Sequence, residues 1–130
     1  MLTELDKHLV IDESGIPINF EWYNCFEKDS LSVFLSSEFE RCCMVFCLAA
    51  LYSMYAPQEP IIPAINTYKD AADHFLYVRD NLPPVYRLQG ATDLSVEVLT
   101  ALSLIMQAQG EELSVVKDVT GINFPSVCFI

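Results

Sequence analysis

Cations are scarce in this 130-residue chain: 7 Lys and Arg stand against 18 Asp and Glu, a formal net charge of −11. That balance excludes nucleic acid and anionic membrane surfaces as direct ligands, because holding phosphates requires clustered Lys and Arg. Glycine is scarcer still, at positions 15, 90, 110 and 121 only. Neither Gly-rich phosphate loop can be written with that spacing, which argues against nucleotide binding. No C-x-x-C pair occurs, and only His8 and His74 could complete a metal site, so no zinc set is complete and no cofactor is expected. A G-x-S-x-G elbow is missing too, and with few bases at hand nucleophilic catalysis is not expected. The longest unbroken apolar run, Cys42 to Tyr52, has eleven residues, about half of what a membrane span needs. The N-terminus lacks a cationic stretch followed by an apolar one, so the sequence predicts no signal peptide.

What is present is apolar. Hydrophobic residues make up 52% of the chain and charged ones 19%, well outside the range of disordered chains. The length suits one domain, 1–130. Five cysteines form an odd set, and Cys42, Cys43 and Cys47 crowd into one aliphatic stretch. They read as reduced core thiols rather than a disulfide framework, which predicts a cytoplasmic protein.

The pattern predicts a mainly α fold: a compact helical domain with a small N-terminal β-hairpin and a C-terminal strand. Ile16, Ile18, Phe20 and Trp22 alternate with polar residues, the mark of a half-buried strand, with Leu9–Ile11 as its hairpin partner. Residues 30–35 read as a helical turn. Ser37 and Glu40 fit a capping box for a helix running to about Ala56, apolar on nearly every face and so central or in a subunit interface. Pro57, Pro60 and Pro63 predict an extended connector. Thr67 then caps a second helix, with Tyr68, Ala71, Ala72, Phe75, Leu76 and Leu82 as its inward stripe, closed by Pro83-Pro84. Thr92 or Asp93 caps a third, with Gly110 as a C-terminal residue or kink. Residues 111–119 fit helix and strand equally. The tail, with Phe124, Val127 and Phe129, reads as a strand broken by Pro125.

Candidate contacts lie on the polar side of the second helix: Asp70, Asp73, Tyr77 and Asp80, an aromatic anchor among carboxylates. Asp70 and His74, four apart, suit an intrahelical pair. The N-terminal acids Asp12, Glu13 and Glu21, the last beside Trp22-Tyr23, form a second group. Rigid aromatics with acids are what a face for a basic protein needs.

In being short, acidic and without a catalytic signature, with Asp70, Asp73 and Asp80 beside Tyr77, the chain resembles the small immunity proteins of bacterial toxin systems, including contact-dependent growth inhibition. That resemblance implies a non-enzymatic antitoxin. It would neutralise a basic toxin, a nuclease by type, in a tight complex that occludes the active site or an exosite, and be a monomer or dimer alone. The alternative is a dimeric secretion chaperone holding an effector segment.

Overall fold

The structure, a computed structural model, describes Glu4, residues 15–87 and residues 92–121. Glu4 is helical, and two strands follow among the described residues. β1 (Phe20–Tyr23) and β2 (Leu31–Phe34) pair antiparallel, with Phe20 opposite Phe34 and Trp22 opposite Ser32. Trp22, Ser32 and Phe34 are buried, whereas Glu21, Tyr23, Leu31 and Val33 are exposed. The second strand corrects the helical turn expected over 30–35. Four residues are too few to separate periods of 2 and 3.6, and the β-branched Val33 sides with the strand. The connecting loop is built by Asn24, whose side-chain oxygen accepts from the amides of Phe26 (2.9 Å) and Glu27 (3.1 Å). Asp29 turns the chain at φ +63°, a left-handed conformation that Asp tolerates better than most residues. The strand begins four residues later than the alternation from Ile16 suggests. Its expected partner at 9–11 and the expected C-terminal strand lie outside the described residues.

α1 spans Ser37–Tyr55. Ser36 rather than Ser37 is its cap: extended at φ −151°, it accepts from the Phe39 amide at 3.4 Å, and Glu38 and Glu40 lie in the first turn, where the helix dipole favours acids. Phe39, Cys42, Cys43, Phe46 and Ala49 are its buried face. The opposite face is open, so α1 is half-buried and not central to the described fold, which corrects the first of the two placements its composition suggests. Within Ser37–Gln58, a helical stretch of 22 residues, an 18-residue window reaches a mean hydropathy of 1.3, long and apolar enough to cross a membrane by length and composition. The eleven-residue apolar run understates that length.

The prolines do not hold the next segment extended. Ala56–Gln58 is a 3₁₀ turn, and α2 runs from Ile61 to Asn81, starting six residues before Thr67. Pro60 is the cap, its carbonyl accepting from Ala64 at 2.9 Å, and Pro63 sits in the first turn. A helix leaves those first amides unpaired, so proline costs nothing there. Thr67, freed from capping, donates its hydroxyl to the Glu59 carboxylate.

After Leu82, a single turn, α3 (Pro84–Arg87), and a 3₁₀ turn (Thr92–Leu94) lead into α4, Val96–Thr120. Ser95, not Thr92 or Asp93, caps α4 by accepting from the Val98 amide at 3.2 Å. Leu99, Ser103, Met106, Gly110 and Leu113 form its buried seam, spaced four and three apart in sequence. That seam carries the helix through Gly110 and makes 111–119 helical. The stop comes at Gly121, in the left-handed conformation at φ +63°, as helix ends prefer. At Gly110 an added Cβ would sit 3.5 Å from the Tyr68 Cβ and 3.7 Å from the Ile65 carbonyl, ordinary contact. Gly110→Ala is therefore expected to stabilise the fold by about 0.5–1 kcal/mol, since mid-helix glycine only adds unfolded-state freedom. A lowered midpoint in urea would refute that.

α2 packs against both α1 and α4, and its small buried residues Ala64, Ala71 and Ala72 let them approach closely. An aromatic chain ties the hairpin to this layer: Trp22 meets Phe46 edge-on at 5.3 Å, Phe46 meets Phe75 at 5.4 Å, and Phe34 meets Phe39 at 4.5 Å and Tyr86 at 4.8 Å.

Candidate protein-binding groove

Where α2 and α4 run side by side, their outer edges leave a groove of about 310 Å³. α2 contributes Ile65, Lys69, Ala72 and Asp73; α4 contributes Met106, Gln107, Gly110, Glu111 and Ser114. Its depth comes from the two smallest walls, Ala72 and Gly110. Ile65 and Met106 make the floor apolar. Lys69, Asp73, Gln107 and Glu111 are exposed around it, supplying both signs of charge and an amide. An apolar floor with a few placed polar groups is the usual make-up of a recognition site.

Of the expected contact residues, Asp73 alone lines this groove. Asp70, Tyr77 and Asp80 are exposed on the same stripe of α2, spaced so that 70, 73, 77 and 80 share one face. Asp80 is engaged: Arg79 Nε donates to Oδ1 at 2.8 Å and Nη2 to Oδ2 at 3.3 Å. That guanidinium holds the Asp80 carboxyl below the usual carboxylate range. Arg79 also reaches the Thr100 hydroxyl on α4 at 3.3 Å, so Asp80 steadies a bridge between helices instead of offering a free charge. His74 does not pair with the Asp70 carboxylate; its Nδ1 lies 2.6 Å from the Asp70 carbonyl oxygen, and its ring packs edge-on against Tyr52 at 5.3 Å. Glu21 is exposed on β1, an element away from the groove, and Asp12 and Glu13 lie outside the described residues. Sequence reasoning missed Lys69, Gln107, Glu111 and Ser114. The one available signal was Gly110, a glycine inside a helical pattern with no turn around it.

A second cluster fastens the hairpin. Asp93, fully buried ahead of α4, accepts at Oδ2 from the Trp22 indole and from the Cys25 amide, both at 2.9 Å. Asn24 donates to the Thr92 hydroxyl at 2.8 Å beside it. Burial, and then the hydrogen bond and charge of Asp93, push the Cys25 thiol up to about 11. The Cys43 thiol is pushed up by burial as well. These thiols stay protonated and unreactive at neutral pH. No cluster of metal-ligating side chains occurs among the described residues.

The match to known families decides the kinship: residues 1–123 fit the BRO1-like domain. The chain belongs to that family. Mouse programmed cell death 6-interacting protein is 30% identical over 128 residues, covering 89% of this chain and 15% of the relative. The vacuolar protein-sorting protein BRO1 of Gibberella zeae is 27% identical over 129 residues, 95% of this chain and 12% of the relative. Apoptosis-linked gene 2-interacting protein X 1 of Caenorhabditis elegans is 27% identical over 128 residues, 89% of this chain and 14% of the relative. No solved structure matches significantly. This BRO1-like chain thus spans about a seventh of the length of the curated relatives it matches.

Membership overturns the immunity-protein resemblance. The relatives are eukaryotic proteins named for sorting and for protein interaction, so a bacterial antitoxin, a contact-dependent inhibition system and a basic nuclease toxin as partner are all wrong for this BRO1-like chain. Small size and excess acid lower association with polyanions in any setting; they carry no information about which protein is bound.

Proposed function

We propose that this BRO1-like chain is a non-enzymatic protein-binding element of a sorting pathway, working in the cytoplasm, with the α2–α4 groove as its contact surface. The groove itself carries this reading: an apolar floor rimmed by Lys69, Asp73, Gln107 and Glu111 suits a segment of another protein, which brings apolar side chains and backbone hydrogen-bonding groups together. Two helices of 21 and 25 residues form its walls, so the surface is preorganised and little ordering entropy opposes binding. The free thiols of Cys25, Cys42, Cys43 and Cys47 fit a reducing compartment. Relatives named for vacuolar protein sorting supply the pathway.

Expressed by itself and in excess, the 130-residue chain should compete for the partner that the groove binds. Overproduced in a fungal cell, it is expected to misroute a fluorescent vacuolar cargo. Ser114→Trp, which fills the groove from its half-exposed wall, should abolish the effect at equal protein level. Misrouting by both forms removes the groove from the function. Normal routing with the wild-type chain in excess refutes the function itself.

A further inference from the structure

The open side of α1 carries a single stripe. Met44, Cys47, Leu48, Leu51, Met54 and Tyr55 recur at offsets of 0, 3, 4, 7, 10 and 11, one face of a helix over three turns. All six are exposed, Leu51 at 60% and Met54 at 69%. Soluble chains seldom leave so continuous an apolar strip uncovered.

Charge selects what can cover it. At −11 overall, two copies of this chain repel one another over most approaches. Between Arg41 and Glu59, however, no residue is charged, so along α1 a like molecule can approach without setting acid against acid. The outer face of α4 also exposes Leu104, Ile105 and Val115, but there they are interspersed with Glu111, Glu112 and Asp118.

We propose that the exposed stripe of α1 is a self-association surface, on which a second copy of the chain seats its own α1 in antiparallel orientation. A parallel arrangement would juxtapose Glu38 and Glu40 with their equivalents; the antiparallel one carries them to opposite ends. A two-fold axis crossing the stripe at its midpoint sets Met44 against the second copy's Tyr55, a favourable sulfur–aromatic contact, and Leu48 against the second copy's Leu51. Six side chains from each copy, at on the order of 100 Å² apiece, cover about 1,200 Å² in total, the low end of specific interfaces, which makes a micromolar dimer the expectation.

Sedimentation equilibrium of the intact chain tests this. Between about 1 and about 100 µM the mass should climb from 14.7 kDa toward twice that value, as a dimer's concentration dependence requires. Leu51→Glu and Leu48→Lys should each remain monomeric with unchanged helicity and, in dilute solution where the wild type is also monomeric, unchanged melting, the side chains being exposed. Mixed in equal amounts they should re-form a dimer, because the carboxylate introduced into one copy then faces the ammonium introduced into the other. Met54→Lys is a second monomerising variant should either fold poorly. A wild-type monomer throughout the range overturns the proposal and assigns the face to a different partner. Undiminished dimerisation of Leu51→Glu overturns it too, and a mixture no heavier than its components overturns the antiparallel pairing.

Discussion

Asp93→Ala is expected to lower the unfolding free energy by about 3 kcal/mol, whereas Asp93→Asn stays within about 1 kcal/mol of the wild type. Both follow from two bonds made at one oxygen. Asp93 Oδ2 accepts from Trp22 Nε1 and from the Cys25 amide, and alanine strands both donors. The indole suffers more, because Trp22 is 8% exposed and water cannot replace the carboxylate. Asparagine keeps an acceptor for both donors. It also removes a buried negative charge whose other oxygen, Oδ1, has no hydrogen-bond partner among the described residues, and relief of that desolvation offsets the weaker neutral bonds. Loss of about 3 kcal/mol is a large share of the roughly 5–15 kcal/mol that a domain has in total. Trp22 is the only tryptophan, so its fluorescence in a urea titration reports the hairpin directly. A midpoint for Asp93→Ala matching the wild type would mean that the hairpin is not held by this residue.

Asp93 also shows what in this chain is legible in advance and what is not. Helix spacing over 37–55 and in the first turns after Leu94 announces α1 and α4, and Trp22 alternating with exposed neighbours announces β1, because those signals are local. Asp93 reads as a cap since capping is the one local use of an acid before a helix; its partners stand 71 and 68 residues away. The start of α2 is hidden for a different reason. Pro60 and Pro63 break helices in their interiors but suit their first turn, and which of these applies depends on the packing of Ile61 and Ala64 into the core. The groove requires both obstacles to be overcome at once: α2 starting early enough to bring Ile65 into a helix, and α4 passing through Gly110 to bring Glu111 and Ser114 opposite. Asp73 is visible through its charge, and only its neighbours across the groove give that charge a setting. Acidity misleads the functional reading because it constrains the sign of a partner and nothing finer.

Phe46→Ala is expected to be the most damaging single truncation, at about 4–5 kcal/mol. Phe46 is 4% exposed and stands between two rings, Trp22 of the hairpin at 5.3 Å and Phe75 of α2 at 5.4 Å, edge-on to both. Alanine there opens a cavity that cannot close, because α1 is held at its N-terminal end by Phe39 against Phe34 and Tyr86. To the transfer and cavity costs are added two edge-to-face contacts of about 0.5–1.5 kcal/mol each. Phe46→Leu fills most of the space and forfeits only those contacts, so about 1–2 kcal/mol is expected. Leu51→Ala lies on the opposite face, where the side chain is 60% exposed, and should stay within about 0.5 kcal/mol of the wild type in dilute solution. The order Phe46→Ala, Phe46→Leu, Leu51→Ala in urea midpoints therefore separates the two faces of α1. Near-ultraviolet circular dichroism adds a local reading, since the Trp22 signal depends on the ring beside it and should collapse in Phe46→Ala before helicity is lost. Equal sensitivity at positions 46 and 51 would mean that α1 is covered on both sides even when dilute, and that its stripe is already occupied within the monomer.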